Sequence, residues 1–268
     1  MAPPAPDLAP ELRTLRDPRA WLSEIFIAPQ GEAKYQGQRQ LFIRFGACPL
    51  RCQYCDQPAA LVREARFRVE KSPGSGRFIT YRNPVTPGSL WQALQRYRGE
   101  FPALHSASLT GGEPLVQAEF LGELIPFLRS QGLKIFLETA GVHARELGSI
   151  RQTIDVISMD VKIESTARER CDLNRHAAFL TAARGRDADC YAKIVVGENT
   201  PDSEIAAAGA MLREMAPDID VYLQELWKVH PDDRPPRSAT MERLRKVMLG
   251  FLPRVHLSRQ QHKLDGHL

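Results

Sequence analysis

Leu41-Phe42-Ile43-Arg44-Phe45-Gly46-Ala47-Cys48-Pro49-Leu50-Arg51-Cys52-Gln53-Tyr54-Cys55 joins a β-prone run to a loop holding three cysteines. Leu41–Ala47 has the branched and aromatic side chains of a strand and ends in a small residue pair. Working outward, further strand candidates are Ser106–Leu109, Lys134–Leu137, Asp155–Met159, Tyr191–Val196, Asp220–Leu223 and Arg254–Ser258. Helical patterns fall between them at Ser89–Tyr97, Ala118–Ser130, Leu173–Ala183, Asp202–Met215 and Thr240–Leu249. Strand and helix in alternation call for an α/β fold of parallel strands with crossover helices, a barrel or open barrel. Ser89 and Asp202 are the expected N-caps, and Pro126 is expected to kink or end its helix.

Residues 1–20 are rich in Pro and Ala and predict a flexible leader, leaving one folded domain over 21–268. Between about 64 and 88 the rhythm breaks. Phe67-Arg68-Val69-Glu70, then Ser72-Pro73-Gly74-Ser75-Gly76, then Phe78-Ile79-Thr80-Tyr81 predict an inserted hairpin. A chain of 268 residues with 43% apolar residues can bury one substantial core. The formal charge of +4, from 36 basic and 32 acidic residues, is scattered and does not indicate nucleic acid. No run approaches the roughly 18 apolar residues of a membrane helix, and the start lacks a secretory pattern. A cytoplasmic protein with no membrane partner is expected.

Five cysteines are an odd number, and three crowd into eight residues, which suits a metal site better than a disulfide framework. Cys48, Cys52 and Cys55 form C-x3-C-x2-C with no fourth Cys or His close by; the nearest downstream histidine is His105. Three thiolates leave one iron of an iron–sulfur cubane open. A structural zinc site would close its tetrahedron with a fourth ligand, so a zinc-binding interaction module is the non-enzymatic alternative. Cys171 and Cys190 stand apart and read as thiols without a role. A parallel barrel puts its working residues at the C-terminal strand ends. Polar residues recur there: Thr110-Gly111-Gly112-Glu113, Glu138, Asp160, Lys162 and Gln224.

The cysteine loop, with the aromatic Tyr54 before its last cysteine, resembles the motif of the radical S-adenosylmethionine superfamily. The resemblance implies a partial (β/α)6-type open barrel spanning 21–268 and a [4Fe-4S] cluster on Cys48, Cys52 and Cys55. It implies that the open iron chelates S-adenosylmethionine, whose reductive cleavage gives a 5′-deoxyadenosyl radical. The cofactor carries this chemistry while the protein positions it and excludes water. Gly111-Gly112-Glu113 looks like the superfamily's GGE motif, with Glu113 accepting from the cofactor's ammonium. Tyr54, Asp56, Asp160, Lys162 and Gln224 are the other expected cofactor-binding residues.

The segment before the cysteines narrows the substrate. Glu24-Ile25-Phe26 leading to Gln30-Gly31-Glu32, then Gly37, then Phe42-Ile43-Arg44 and Gly46, resembles the opening of the 7-carboxy-7-deazaguanine synthases. Gln260-Gln261-His262-Lys263-Leu264-Asp265-Gly266 is similar to that family's terminal Q-x-H-K-x-x-G. Arg44 can pair bidentately with a carboxylate, and Glu32 can accept from ring N–H groups. With Gln30, Gly31 and Thr110 they make the expected substrate site. The resemblance implies 6-carboxy-5,6,7,8-tetrahydropterin as substrate, a pterin-like small molecule. Its product is 7-carboxy-7-deazaguanine, on the route to queuosine. A reductant such as flavodoxin or ferredoxin and a homodimer are also implied. Two departures stand out: Gln57 replaces the family's Mg2+-holding threonine, leaving open whether its amide oxygen holds Mg2+ as a further cofactor or its NH2 donates to the substrate carboxylate without the ion, and Glu225 replaces the proline after Gln224. A sister radical enzyme acting on another small carboxylated substrate, or an activase of glycyl-radical enzymes, are the alternative readings.

Overall fold

The computed structural model describes residues 18–264. Its elements are β1 (Leu22–Pro29), β2 (Arg39–Phe45), β3 (Arg66–Glu70), β4 (Phe78–Arg82), α1 (Pro87–Leu94), β5 (Ser106–Gly111), α2 (Ala118–Arg129), β6 (Lys134–Thr139), α3 (Ala144–Ser149) and β7 (Val156–Asp160). There follow α4 (Glu164–Ala167), α5 (Leu173–Arg184), β8 (Asp189–Val196), α6 (Asp202–Met215), β9 (Asp220–Glu225), α7 (Ser238–Leu249), β10 (Val255–Ser258) and α8 (Gln261–Leu264). The sheet order is β10-β9-β8-β7-β6-β5-β2-β1-β3-β4. From β2 to β10 every neighbouring pair is parallel, whereas β1 runs antiparallel to β2. The two ends of the sheet do not pair, so the barrel is open.

Period-two alternation decides what each strand does, because successive side chains take opposite faces. Leu41, Ile43 and Phe45 of β2, Ala107 and Leu109 of β5, Ile135 and Leu137 of β6, and Ile157 and Met159 of β7 point outward. They join the main core beneath the helices. The intervening residues face the barrel interior, where Phe136, Val156 and Tyr191 form a second, smaller cluster with Ala33, Tyr35 and Tyr222. The helices pack on one another in chain order, α1 on α2, α2 on α3, α3 on α5, α5 on α6 and α6 on α7, as crossovers of one hand require.

Local boundaries differ from the sequence expectations. Thr86, not Ser89, caps α1, and Ser89 sits at the third helical position to complete a reciprocal capping box. Asp202 is the first residue of α6 behind Pro201, where a carboxylate still favours the positive helix end. Pro126 lies inside α2, which continues to Arg129; the carbonyl its ring crowds belongs to Gly122, which has no side chain to add to the conflict. Strand β1 went unrecognised in the sequence because its residues alternate poorly: Ile25, Phe26 and Ile27 are all buried. The hairpin after the cysteines is present as antiparallel β3 and β4, attached to β1 at the sheet edge. Of the predicted leader, residues 1–17 lie outside the described residues, as do Asp265 and Gly266. No helix among the described residues is long and apolar enough to cross a membrane.

Candidate active site

Six parallel strands, neighbours in the sheet, each contribute an inward-facing residue at or near their C-terminal end to one cavity: Arg44, Thr110, Glu138, Asp160, Lys193 and Gln224, with Val195 beyond Lys193 on β8. The cavity, its open mouth included, has about 1310 Å3 of empty space. Cys48, Cys52, Tyr54, Cys55, Asp56 and Gln57 line it from above, and Gln30, Gly31 and Glu32 enter it from the loop after β1.

The cysteine loop is clipped at its neck. Ala47 N donates to Val62 O at 3.1 Å and Cys48 N to Leu61 O at 3.3 Å, closing the loop on itself. Gly112 N donates to Phe45 O and Glu113 N to Ala47 O, each at 2.9 Å, joining the neck to the end of β5. The approach is so close that a Cβ on Gly111 would lie 2.5 Å from the Phe45 backbone, and one on Gly112 2.4 Å from the carbonyl oxygens of Ala47 and Ala60. Gly111 also has φ +115°, a conformation side chains rarely adopt. Both glycines are thus required by backbone packing. Burial pushes the Cys48 thiol pKa up, and that of Cys52 up to about 12. Ligation must therefore drive off these protons.

Charged side chains cross the cavity as a connected wall. Glu32 pairs with Lys193; Lys193 also reaches Asp160 at 3.2 Å; Lys162 reaches Asp160 at 2.8 Å and the Tyr54 hydroxyl at 3.0 Å. Burial alone would raise the Asp160 pKa, but Lys162 and Lys193 overcome it and hold the carboxyl below its usual range. For Glu32, burial is again outweighed, by Lys193 and the Gln260 amide. The two lysines, opposed by burial, are held well above the ordinary ammonium value chiefly by Asp160. The wall is charged at neutral pH. Beside it, Glu138 accepts from Gln30 Nε2 at 2.6 Å and from Thr110 Oγ1 at 2.5 Å. Arg44 lies 3.9 Å from Glu24 and over the Phe26 ring, and its buried Nε has no hydrogen-bond partner. The buried Gln224 Oε1 is likewise unpartnered. An arginine with a free donor and a glutamine with a free acceptor suit a polar ligand.

A model of the radical SAM superfamily matches residues 42–212. Over 252 residues the chain is 36% identical to 7-carboxy-7-deazaguanine synthase of Geobacter sulfurreducens, covering 94% of this chain and 99% of that protein. The chain belongs to the radical SAM superfamily and, within it, to the 7-carboxy-7-deazaguanine synthases. The Methanopyrus kandleri synthase is 35% identical over 175 residues, 65% of this chain and 68% of its own. In fold, the chain is similar to the crystal structure of QueE from Escherichia coli, with TM-score 0.60, 20% identity and coverage of 91% of this chain and 95% of that one.

For a radical SAM enzyme the donor set fits a [4Fe-4S] cluster held by three cysteines. All three thiols are outside any disulfide and line the cavity, Cys52 Sγ donating to Glu169 Oε1 at 3.1 Å, and among the described residues no histidine lines it to supply a fourth ligand. Cys171 and Cys190 are outside the lining. The structure brings together every residue expected from the sequence except Glu113. That side chain is fully buried beneath the cavity, where its carboxylate accepts from Leu115 N at 3.0 Å, Ala140 N at 2.8 Å and the Thr139 hydroxyl at 2.9 Å. It fastens the loop after β6 to the glycine pair.

Sequence reasoning passed over Lys193, Trp227 and the binding role of Glu138. Lys193 carried a readable signal: a lysine within the apolar run Tyr191–Val196 is costly to bury unless paired, and the structure pairs it with Glu32 and Asp160 in the interior. Trp227 carried none, because it lies in a loop after β9, where its ring meets Lys263 at 5.5 Å.

Proposed function

We propose that this chain converts 6-carboxy-5,6,7,8-tetrahydropterin to 7-carboxy-7-deazaguanine in deazapurine biosynthesis, using a [4Fe-4S] cluster and S-adenosylmethionine. The observation that carries the reading is one cavity bearing three free thiols together with Arg44, Glu32, Gln30 and Glu138, a donor and acceptor set suited to a carboxylated, nitrogen-rich ring. Cys48, Cys52 and Cys55 would hold the cluster, which with its bound cofactor would supply the hydrogen-abstracting chemistry. Arg44 receives the carboxylate with its guanidinium, Glu32 and Glu138 accept from ring N–H groups, and Gln30 holds Glu138 in place. Gly31, Thr110 and Gln30 complete the substrate side. Tyr54, Asp56, Asp160, Lys162, Gln224 and the backbone of Gly111 and Gly112 form the cofactor side.

Mg2+ is not part of this reading. Gln57 lines the cavity where the family places a metal-holding threonine, and the neighbouring Asp56 carboxylate is paired with Lys263. The Gln57 amide donates to the substrate carboxylate in place of the ion. A flavodoxin- or ferredoxin-type protein is the proposed electron source and the homodimer the proposed assembly; light scattering of the purified protein checks the latter. The deciding experiment is anaerobic: protein reconstituted with iron and sulfide, reduced, is given S-adenosylmethionine and the carboxytetrahydropterin, and products are identified by mass. The carboxydeazaguanine and deoxyadenosine are expected. Cofactor cleavage with no new pterin-derived product would transfer the reading to another carboxylated substrate, whereas a zinc-loaded protein without iron would end it.

A further inference from the structure

The loop between β1 and β2 is clamped from below by charges that the reaction does not use. Along β8, Asp189, Tyr191 and Lys193 alternate with outward residues and so share the interior face. The loop runs against this row in the opposite sense. Glu32 meets Lys193 at the top; the Tyr35 ring meets Tyr191 and the edge of Phe136 in the middle; the Tyr35 hydroxyl donates to Asp189 at 2.6 Å. At the bottom Lys34 reaches Asp189 at 2.8 Å and Asp220, the first residue of β9, at 3.1 Å. The direction switch between Glu32 above and Lys34 below is made at Ala33, a non-glycine residue with φ +53°. Its N–H is fixed by Ser258 Oγ at 3.0 Å.

The two ion pairs have opposite polarity. A loop slipped along β8 would set Glu32 toward Asp189 or Lys34 toward Lys193, like charge against like, so only one register satisfies both. We propose that Lys34 and Asp189 are positioning residues that lock this register and so aim Glu32 at the substrate from beneath the barrel. Neither lines the cavity. The inference rests on the substrate role given to Glu32 above.

The test compares Lys34→Met, Lys34→Arg and Glu32→Gln in the reconstituted full-length enzyme. It measures KM and kcat for the carboxytetrahydropterin, substrate-free cofactor cleavage, and iron content. Lys34→Met is expected to raise KM about tenfold, the change a loss of one well-placed contact brings, with kcat, cleavage and iron unchanged; Lys34→Arg restores KM. Glu32→Gln is expected to raise KM at least as much. If Glu32→Gln raises KM and Lys34→Met does not, the positioning role is overturned and the substrate reading stands. If Glu32→Gln leaves KM unchanged, the substrate role of Glu32 fails. Equal falls in cleavage and turnover for Lys34→Met, unrelieved by arginine, would show a general structural role and overturn the inference.

Discussion

At single residues the site is held by groups that never enter the cavity. His176 on α5 is buried; its Nδ1–H donates to Gly141 O at 2.9 Å and its Nε2 accepts from Lys162 N at 3.1 Å, a tautomer fixed by both partners. It joins the loop after β6 to the loop after β7. Burial, helped by the nearby Lys162 charge, depresses its pKa to about 4 from 6.5. Between those values the unfolded chain takes up a proton that the folded one refuses, so stability present above pH 6.5 is lost as pH falls, by roughly 3 kcal/mol in all. Urea unfolding at pH 7.5 and 5 should show about 2 kcal/mol of that loss, and His176→Gln, which cannot take up the proton, should flatten it. Equal pH slopes for the two proteins would remove His176 as the cause. Gly112 makes the opposite kind of demand. Gly112→Ala should sharply cut iron loading on reconstitution, since the added carbon meets two backbone carbonyls of the cysteine loop and no flexible side chain can yield. Iron content and the visible absorbance of the cluster check this.

Among the elements, α1 offers the cleanest measurement. Removing the reciprocal cap with Thr86→Ala should cost about 1 kcal/mol in chemical denaturation while leaving cofactor cleavage intact. Ser89→Ala removes the returning half of the same box and should cost less. The helix ends show what could be read without coordinates. The parallel strands carrying the site were legible because their apolar runs are bounded and because polar residues recur at one end, as Thr110, Asp160 and Gln224 do. Caps were not, because Thr86 and Ser89 both have cap-compatible chemistry, while Asp202, which also has it, lies inside the helix behind Pro201, which caps with no side-chain hydrogen bond; only backbone geometry selects among them. Nor was the fate of Glu113 legible. A motif gives a carboxylate an address on a strand end, but whether it turns up to a ligand or down to Thr139 and Ala140 depends on a loop 26 residues later. Lys34 was lost for a similar reason: its partners Asp189 and Asp220 are 155 and 186 residues away.

For the molecule as a whole, the balance of charge in the cavity makes a prediction about metal. Arg44, Lys162 and Lys193 already face the carboxylates there, and Gln57 brings an amide where a hydroxyl would help hold an ion. Mg2+ demands near-octahedral geometry at about 2.0–2.1 Å and gives up its water reluctantly, so a displaced ligand weakens such a site. Turnover of the reconstituted enzyme should change little on adding Mg2+ or on treatment with EDTA, and Gln57→Thr should make it Mg2+-dependent. Strong stimulation of the unaltered enzyme by Mg2+ would refute the metal-free pocket. Residues from both ends of the described chain complete this cavity: Gln260 Nε2 donates to Glu32 at 2.5 Å and Gln261 N to Gly31 O at 2.9 Å. A chain cut back before Gln260 loses both contacts, so it should show a raised KM for the carboxytetrahydropterin while substrate-free cofactor cleavage persists, which steady-state kinetics of the truncated enzyme would measure.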